Sequence, residues 1–185
     1  MRSGFKGYGA VAGACLLFQS VRRAIVLSVT RYVFQTVWLV AAPRQAVWDV
    51  LSDVLRWPQW WRGAGSVSEL ERGDERRVGS RYRVRWRARL PYTVEMDFVV
   101  DEVEEPVRMS GRASGDLAGT GMWRLTEAGE VTRVTYDWDV CTTPRWMDAV
   151  ALVARPVLAR NHDWVMRRGG EGLARQLDAE GYSPR

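Results

Sequence analysis

The residues best suited to proton transfer in this chain are one histidine and two tyrosines. His162 is the only histidine, so one chain cannot assemble a metal site with two histidines or a triad that needs a second one. Tyr82 and Tyr136 stand on the apolar side of alternating segments, where a hydroxyl needs a hydrogen-bond partner or a water. We therefore take His162, Tyr82 and Tyr136 as candidate catalytic residues, each of which must reach a bound molecule to act.

His162 has two interpretations. It follows Asn161 in a stretch of helical periodicity, one turn from Leu158 and Val165, so its imidazole points into a cavity as a polar anchor or a general acid or base. Alternatively, it is a structural histidine that is satisfied by the sheet or lies at the helix edge. If His162 is catalytic, its replacement by alanine abolishes turnover and leaves ligand affinity nearly intact.

Four tryptophans lie in the nineteen residues from Pro43 to Trp61. Apolar residues recur at helical spacing behind Pro43, which predicts a helix with one apolar stripe. Trp57, Trp60 and Trp61 then follow in a segment that Pro58 keeps short. Three large rings so close together must cover the edge of a core or line a cavity.

The middle of the chain reads as consecutive antiparallel strands. Residues 80–90 and 93–103 alternate strictly between polar and apolar, which is typical of strands with one wet face and one apolar face. Shorter strands are predicted at residues 34–41, 66–70 and 107–113, around 123–125, and at 134–140, which gives about seven. A three-residue turn after the arginine-rich strand predicts the pairs Arg87 with Glu95, Arg85 with Asp97, and Arg81 with Asp101.

Beyond Pro144 the apolar residues recur at helical spacing to the end of the chain. Because proline kinks a regular helix, Pro156 predicts a short helix near residues 145–154 and a long one over about 157–179. The inward face of the strands and helices is either a plain core or a ligand wall, and the number of bulky rings favours a wall. The predicted ligand-binding residues are Trp57, Trp60, Trp61, Tyr82, Val84, Trp86, Met96, Phe98, Met109, Trp123, Tyr136, Trp138, Leu158, Asn161, His162 and Val165.

Several short motifs occur in a fixed order along residues 34–180. They are Val47-Trp48, Asp53 with Trp57-Pro58-Gln59-Trp60-Trp61, Gly119-Thr120-Gly121-Met122-Trp123-Arg124-Leu125, Thr132-Arg133-Val134-Thr135-Tyr136, and Asn161-His162 with Met166, Gly169-Gly170 and Gly172-Leu173. Together they resemble the START-like SRPBCC superfamily, and within it the polyketide cyclase/dehydrase group.

The resemblance implies an α+β helix-grip fold: a seven-stranded antiparallel sheet curled around a long C-terminal helix, with two short helices after the first strand. Members bind lipids, sterols, polyketides and other hydrophobic molecules, and a minority are enzymes. It also places Trp57, Trp60 and Trp61 where the family closes its pocket, and it implies no cofactor. Fold-level likeness predicts architecture better than activity.

Three functional hypotheses follow. The first is a binding protein that encloses one lipid-like, polyketide-like or polycyclic molecule in a cavity between sheet and helix. The second is a cofactor-independent cyclase, aromatase or dehydratase that uses His162 and Tyr82 or Tyr136 as proton donors. The third is a surface binder whose basic face or apolar N-terminal segment docks to RNA, ribosome or membrane, with strong salt dependence as its signature.

Composition favours the first two hypotheses. The chain has 185 residues and a net charge of +5, which suits one domain with a moderately basic surface. The acids of the neighbouring strand are expected to neutralise the arginine-rich strand, so nucleic acid is not favoured as a partner. Cys15 and Cys141 are too few for a disulfide framework or a zinc site, and no metal is predicted.

Residues 1–33 form an N-terminal extension with several interpretations, ahead of a domain at 34–180 and a tail at 181–185. Residues 8–18 are apolar, which suggests a signal peptide or weak anchor, but Arg22 ends the run short of the ~20 residues needed to span a bilayer. Small residues before Cys15 suggest a lipoprotein signal. We favour a gene start placed too early, with the protein beginning near Val29, or an amphipathic lead helix, and a cytoplasmic location.

Overall fold

The computed structural model describes residues 31–87, 93–143 and 151–182, with the backbone alone at 151–155 and 157. The interpretations of residues 1–30, the turn at 88–92 and the segment at 144–150 lie outside these ranges. Within the described residues the elements are β1 (Arg31–Val40), α1 (Arg44–Ser52), a 3-10 turn (Val54–Arg56), α2 (Trp57–Trp60), β2 (Ala64–Glu71), β3 (Arg81–Arg87), β4 (Thr93–Glu104), β5 (Arg108–Gly115), β6 (Leu117–Ala128), β7 (Val131–Thr142) and α3 (Ala151–Ala179).

The seven described strands form one antiparallel sheet in the order β1-β7-β6-β5-β4-β3-β2. Each strand after β2 pairs with the strand that precedes it in sequence, and β1 closes the order by pairing with β7. The sheet curls around α3, and the short helices follow β1. This arrangement confirms the predicted α+β helix-grip fold.

The first strand begins earlier than the alternation predicted. β1 starts at Arg31, three residues before the predicted start at Phe34. Tyr32 is buried and belongs to the interior, so residues 31–33 are part of the folded sheet.

The predicted register of the arginine-rich strand is wrong by two residues. The structure pairs Arg85 with Glu95 and Arg83 with Asp97, whereas a three-residue turn would have set Arg85 opposite Asp97. Five residues separate the last pair, Arg87 and Thr93, so the turn is longer than predicted. A shift of two keeps every side chain on its predicted face, because the side-chain period of a strand is two.

The prediction of two separate C-terminal helices is also wrong. α3 continues through Pro156 as one helix from Ala151 to Ala179. Pro156 is the sixth residue of α3 as described, so its missing N–H removes only one bond, to the carbonyl of Leu152. The residues after Pro156 keep their own bonds, and their apolar side packs on the sheet and short helices. None of the helices within the described residues is long and apolar enough to cross a membrane.

One end of the interior, which we call the packed end, is filled by Trp48, Trp60, Gly172, Leu173 and Leu177. Trp48, Leu173 and Leu177 have at most 1% of their surface exposed. A Cβ at Gly172 would overlap the backbone carbonyl oxygen of Trp60, so only glycine lets the helix come this close.

Two further glycines on α3 seat tryptophan rings. A Cβ at Gly169 would overlap the ring of Trp61, and a Cβ at Gly170 would lie 3.0 Å from the ring of Trp38. The C-terminal half of α3 therefore touches the aromatic side chains of β1 and α2 directly. No comparable glycine lies in the first half of the helix.

Candidate functional site

A cavity of about 150 Å³ lies between the sheet and the first half of α3. Most of its wall comes from inward side chains of the strands, because alternate residues of a strand face the same side. The helix contributes Leu158, Asn161, His162, Val165 and Met166. We call this part of the interior the cavity end, defined by Phe34, Met96, Trp138, Leu158 and His162.

The structure brings fourteen of the sixteen predicted ligand-binding residues to this cavity. They are Trp57, Trp61, Val84, Trp86, Met96, Phe98, Met109, Trp123, Tyr136, Trp138, Leu158, Asn161, His162 and Val165. Their common position supports the alternation from which they were chosen; their contact with a ligand stays a proposal.

Trp60 is a correction to that set. Its side chain belongs to the packed end and borders a separate surface groove with Asp49, Arg56 and Gln176. Trp57 and Trp61 are four residues apart and fall on one side of the turn of helix, where the amide of Trp61 donates to the carbonyl of Trp57 at 2.7 Å. Trp60 is one residue before Trp61 and is turned away from the cavity.

Tyr82 is the second correction. It is buried near the start of β3, beside Ser52, Val54 and Glu69, and does not line the cavity. Its face of the sheet was predicted correctly, but its position along the strand is too far from the cavity end. Val84 and Trp86, which are further along β3, do reach the cavity.

Sequence reasoning missed eight residues of the wall, which lie mostly at the cavity end of their strands. They are Tyr32, Phe34, Val54, Val94, Leu117, Val140, Thr142 and Met166. Val94 and Val140 are in phase with residues that were predicted, so extending each alternation to the end of its strand would have found them.

Trp61 joins the short helix α2 to the long helix. Its indole N–H donates to the backbone carbonyl of Val165 at 2.9 Å. Its ring lies 5.2 Å from those of Trp57 and Trp86, centroid to centroid, and 5.5 Å from that of Trp38. These tilted and edge-on arrangements are favourable for aromatic pairs and make one wall of the cavity rigid.

Tyr136 stands between two tryptophans of the sheet. Its ring stacks on Trp123 with a centroid distance of 4.0 Å and lies 5.7 Å from Trp138. Gly121 on β6 leaves the space for this stack, since a Cβ there would lie 2.8 Å from the Tyr136 hydroxyl and 2.9 Å from the Trp138 ring. Burial raises the pKa of Tyr136 well above its ordinary value, so the hydroxyl stays protonated.

His162 packs flat on Phe34, with ring centroids 4.1 Å apart and planes 13° apart. Burial lowers the pKa of His162 from 6.5 to about 4, against a small opposite effect of Asp163, so the imidazole is neutral at pH 7. Its Nε2 atom is enclosed and has no hydrogen-bond partner. His162 therefore borders the cavity with its ring, while Nε2 has no open surface that a ligand could reach.

The cavity wall is uncharged. None of the lining residues that the structure describes carries a carboxylate, an ammonium or a guanidinium group. Across the described ranges, no cluster of three or more His, Cys, Asp or Glu side chains is placed to hold a metal ion.

The outer face of the sheet carries the charges instead. Arg83 and Arg81 both donate to Asp97, at 2.7 and 2.9 Å, and Arg85 pairs with Glu95. The hydrogen bond from Arg83 lowers the pKa of Asp97 below its ordinary value, although burial opposes this. The arginine-rich strand thus finds acids on the neighbouring strand, as predicted, with partners shifted by the register.

Comparison with known proteins agrees with this geometry. A sequence profile of the family described as "Polyketide cyclase / dehydrase and lipid transport" matches residues 31–178. No curated protein sequence matches the chain.

Three solved structures are similar over most of both chains. The Zhui aromatase/cyclase from Streptomyces sp. R1128 is 19% identical, covers 82% of this chain and 99% of its own, and has a TM-score of 0.61. A START superfamily protein from Mycobacterium smegmatis is 16% identical, with 80% and 97% covered and a TM-score of 0.64. TTHA0849 from Thermus thermophilus is 17% identical, with 77% and 97% covered and a TM-score of 0.62. At these identities the likeness concerns the fold.

Proposed function

The chain belongs to the polyketide cyclase / dehydrase and lipid transport family, and we propose that it encloses one small hydrophobic molecule between its sheet and its long helix. The observation that carries this proposal is the cavity at the first half of α3, whose wall is almost wholly apolar and aromatic. Such a wall favours transfer of an apolar molecule out of water.

The volume limits the ligand that fits without rearrangement. Apolar protein cavities of about 150 Å³ accept molecules of the size of benzene. A lipid-like or polycyclic molecule would have to move side chains outward as it enters. Leu158, Leu117 and Val94 are half-buried residues of the wall where such widening is easiest, and Leu117 and Val94 also lie at the starts of their strands.

The first test is a mass measurement on the full-length protein as purified. We expect a native spectrum with a discrete extra mass that disappears in the denaturing spectrum, which releases the molecule for identification. Where the host supplies no ligand, p-cymene, a one-ring molecule larger than benzene that enters with a modest outward shift of side chains, should bind with one-to-one stoichiometry in isothermal titration calorimetry.

A matched pair of variants assigns the binding to the cavity. Leu158→Trp adds a ring to the cavity wall, whereas Arg160→Trp adds the same ring on the exposed side of the same helix. Binding should be lost in the first variant and kept in the second. Equal binding by both variants, or no binding by the unmodified protein, would overturn the proposal.

A second candidate function is a cyclase or dehydratase acting on a poly-β-ketone. The observation in its favour is the Tyr136 hydroxyl on an aromatic wall, a neutral group that can polarise a ligand carbonyl by a hydrogen bond, whereas its raised pKa makes it a weak proton donor. His162, the other candidate, would have to turn before its Nε2 could act. Enzyme action requires that His162→Ala abolish turnover of a poly-β-ketone thioester while affinity changes little, and that Tyr136→Phe lower turnover by far more than it lowers affinity. Equal loss of turnover and affinity would support binding without catalysis.

A further inference from the structure

We infer that the cavity selects uncharged aromatic molecules that carry one oxygen acceptor, and that this oxygen accepts a hydrogen bond from the hydroxyl of Tyr136. This inference rests on the proposed binding function and names the class of ligand. It is carried by the absence of charge on the described wall, the position of the Tyr136 hydroxyl, and the aromatic rings around it.

Charge is the first selective feature. A carboxylate or ammonium group brought into the cavity would leave water and meet no described counter-charge. Burying an ion without a partner is far more costly than burying a neutral polar group. The ion pairs of the sheet lie on its outer face, as with Arg83 and Asp97, and cannot offset that cost.

The Tyr136 hydroxyl is the second feature. Tyr136 is partly buried and lines the cavity, so the surface of its side chain that remains open faces the cavity. Within the described part of the chain, its hydroxyl makes no hydrogen bond to another group, and it is not among the sealed polar atoms of the interior. It is therefore a neutral donor, turned to the cavity, whose hydrogen bond remains to be made.

The fixed position of that donor makes it selective. The ring is held between Trp123 and Trp138, and Gly121 provides the space beneath the hydroxyl. A hydroxyl that cannot swing away favours a ligand whose oxygen lies at one place. The Nε2 atom of His162 is enclosed and cannot take this role.

Aromatic surfaces are the third feature. Trp86, Phe98, Trp123 and Trp138 all present rings to the cavity. Planar molecules fit such walls by offset stacking and edge contacts, which add to the gain from burial. A flexible aliphatic chain of equal area would also lose rotational freedom on binding.

Three probes with equal numbers of non-hydrogen atoms test the inference: p-cymene, 4-methylacetophenone and p-toluate. They share the methylphenyl group and differ in bearing an apolar group, a ketone or a carboxylate. Their affinities for the full chain and for Tyr136→Phe are measured by isothermal titration calorimetry at pH 7. The decisive quantity is the affinity of the ketone relative to p-cymene, because this ratio cancels effects of the substitution on the cavity as a whole.

We expect p-toluate to bind at least about a hundredfold more weakly than the ketone. Tyr136→Phe should lower the ketone to p-cymene ratio about tenfold, since the buried carbonyl loses its donor. An unchanged ratio would overturn the role of Tyr136, and binding of p-toluate as tight as that of the ketone would overturn the selection against charge. The p-toluate comparison needs no variant, so it decides even if Tyr136→Phe does not fold. Failure of all three probes to bind would instead overturn the binding function itself.

Discussion

The two ends of the interior share one helix and one sheet, yet one end is filled and the other is hollow. Toward the packed end, α3 has glycines where it meets Trp38, Trp60 and Trp61, and the carbonyl of Trp60 occupies the place of a side chain at Gly172. At the cavity end, α3 has Leu158, His162 and Val165 instead, and the space between helix and sheet remains open. Small residues on α3 thus let the helix pack closely at one end, and larger residues hold it away from the sheet at the other.

The glycines of the cavity end lie in the sheet. Gly121 lies under the rings of Tyr136 and Trp138, and a Cβ at Gly111 would lie 2.7 Å from the ring of Phe98. These glycines allow the neighbouring aromatic rings to pack against the strand backbone instead of projecting toward the helix. The same residue type therefore closes the interior when it is on the helix and helps to keep it open when it is on the sheet.

The largest difference in stability loss between the two ends is expected for tryptophan substitutions. Trp48→Ala removes a fully packed ring and should lower the free energy of unfolding by about 3 to 5 kcal/mol. Trp86→Ala removes a half-buried ring that already borders empty space and should cost clearly less. Chemical denaturation of both variants provides the measurement. Equal losses would mean that the cavity end is packed as tightly as the other.

The second prediction concerns pH and the cavity end alone. His162 has a pKa of about 4 in the folded protein and 6.5 in the unfolded chain, so the unfolded state binds more protons between these values. The contribution of neutral His162 to the free energy of unfolding should be fully present above about pH 6.5. The free energy of unfolding should fall by about 3 kcal/mol as the pH drops to about 4.

His162→Phe is the control for this pH dependence, because it keeps a ring against Phe34 and removes the titrating group. The slope between pH 6.5 and 4 should then largely vanish. Asp97 and Asp139, whose pKa values are lowered by Arg83 and Arg31, act in both proteins and lose their contribution at still lower pH. A variant with an unchanged slope in the upper window would contradict the assignment.

The third prediction concerns the sign of the stability change that a glycine substitution causes at the packed end. Helix propensity alone predicts that Gly172→Ala stabilises the protein by about 1 kcal/mol. The new Cβ would overlap the carbonyl of Trp60, and backbone cannot yield as a flexible side chain does, so we expect a net loss of about 1 to 3 kcal/mol. Ala174→Gly, at an exposed position of the same helix, measures the propensity effect without the contact. Stabilisation by Gly172→Ala would show that α3 stands further from α2.

Sequence reasoning succeeded where a local period carries the information. Alternation placed the strands and the faces of Val84, Met96 and Trp138, because a strand has a period of two wherever it lies. It could not set the register of β3 on β4, which depends on the length of the turn between Arg87 and Thr93.

The shape of the interior was less accessible to sequence reasoning. Trp57, Trp60 and Trp61 look alike in sequence, and only the short helix α2 separates the two that face the cavity from the one that does not. Gly172 reads as a weak point of a helix, and its role depends on Trp60, more than one hundred residues away. Likewise, Pro156 predicted a break that the helix absorbs.

The smallest expected loss of stability comes from truncating a leucine on the cavity wall. Leu158→Ala should cost about 1 kcal/mol or less, because Leu158 is half-buried and its removal enlarges a space that is already present. Leu173→Ala, on the same helix with none of its surface exposed, should cost about 2 to 5 kcal/mol, because it opens a new hole in a filled region. Thermal or chemical unfolding of the pair measures the difference, and equal costs would contradict the contrast between the two ends.

If the cavity widens at Leu158 as proposed, Leu158→Ala should bind a two-ring molecule such as naphthalene more tightly than the unmodified protein does, while its affinity for p-cymene changes less.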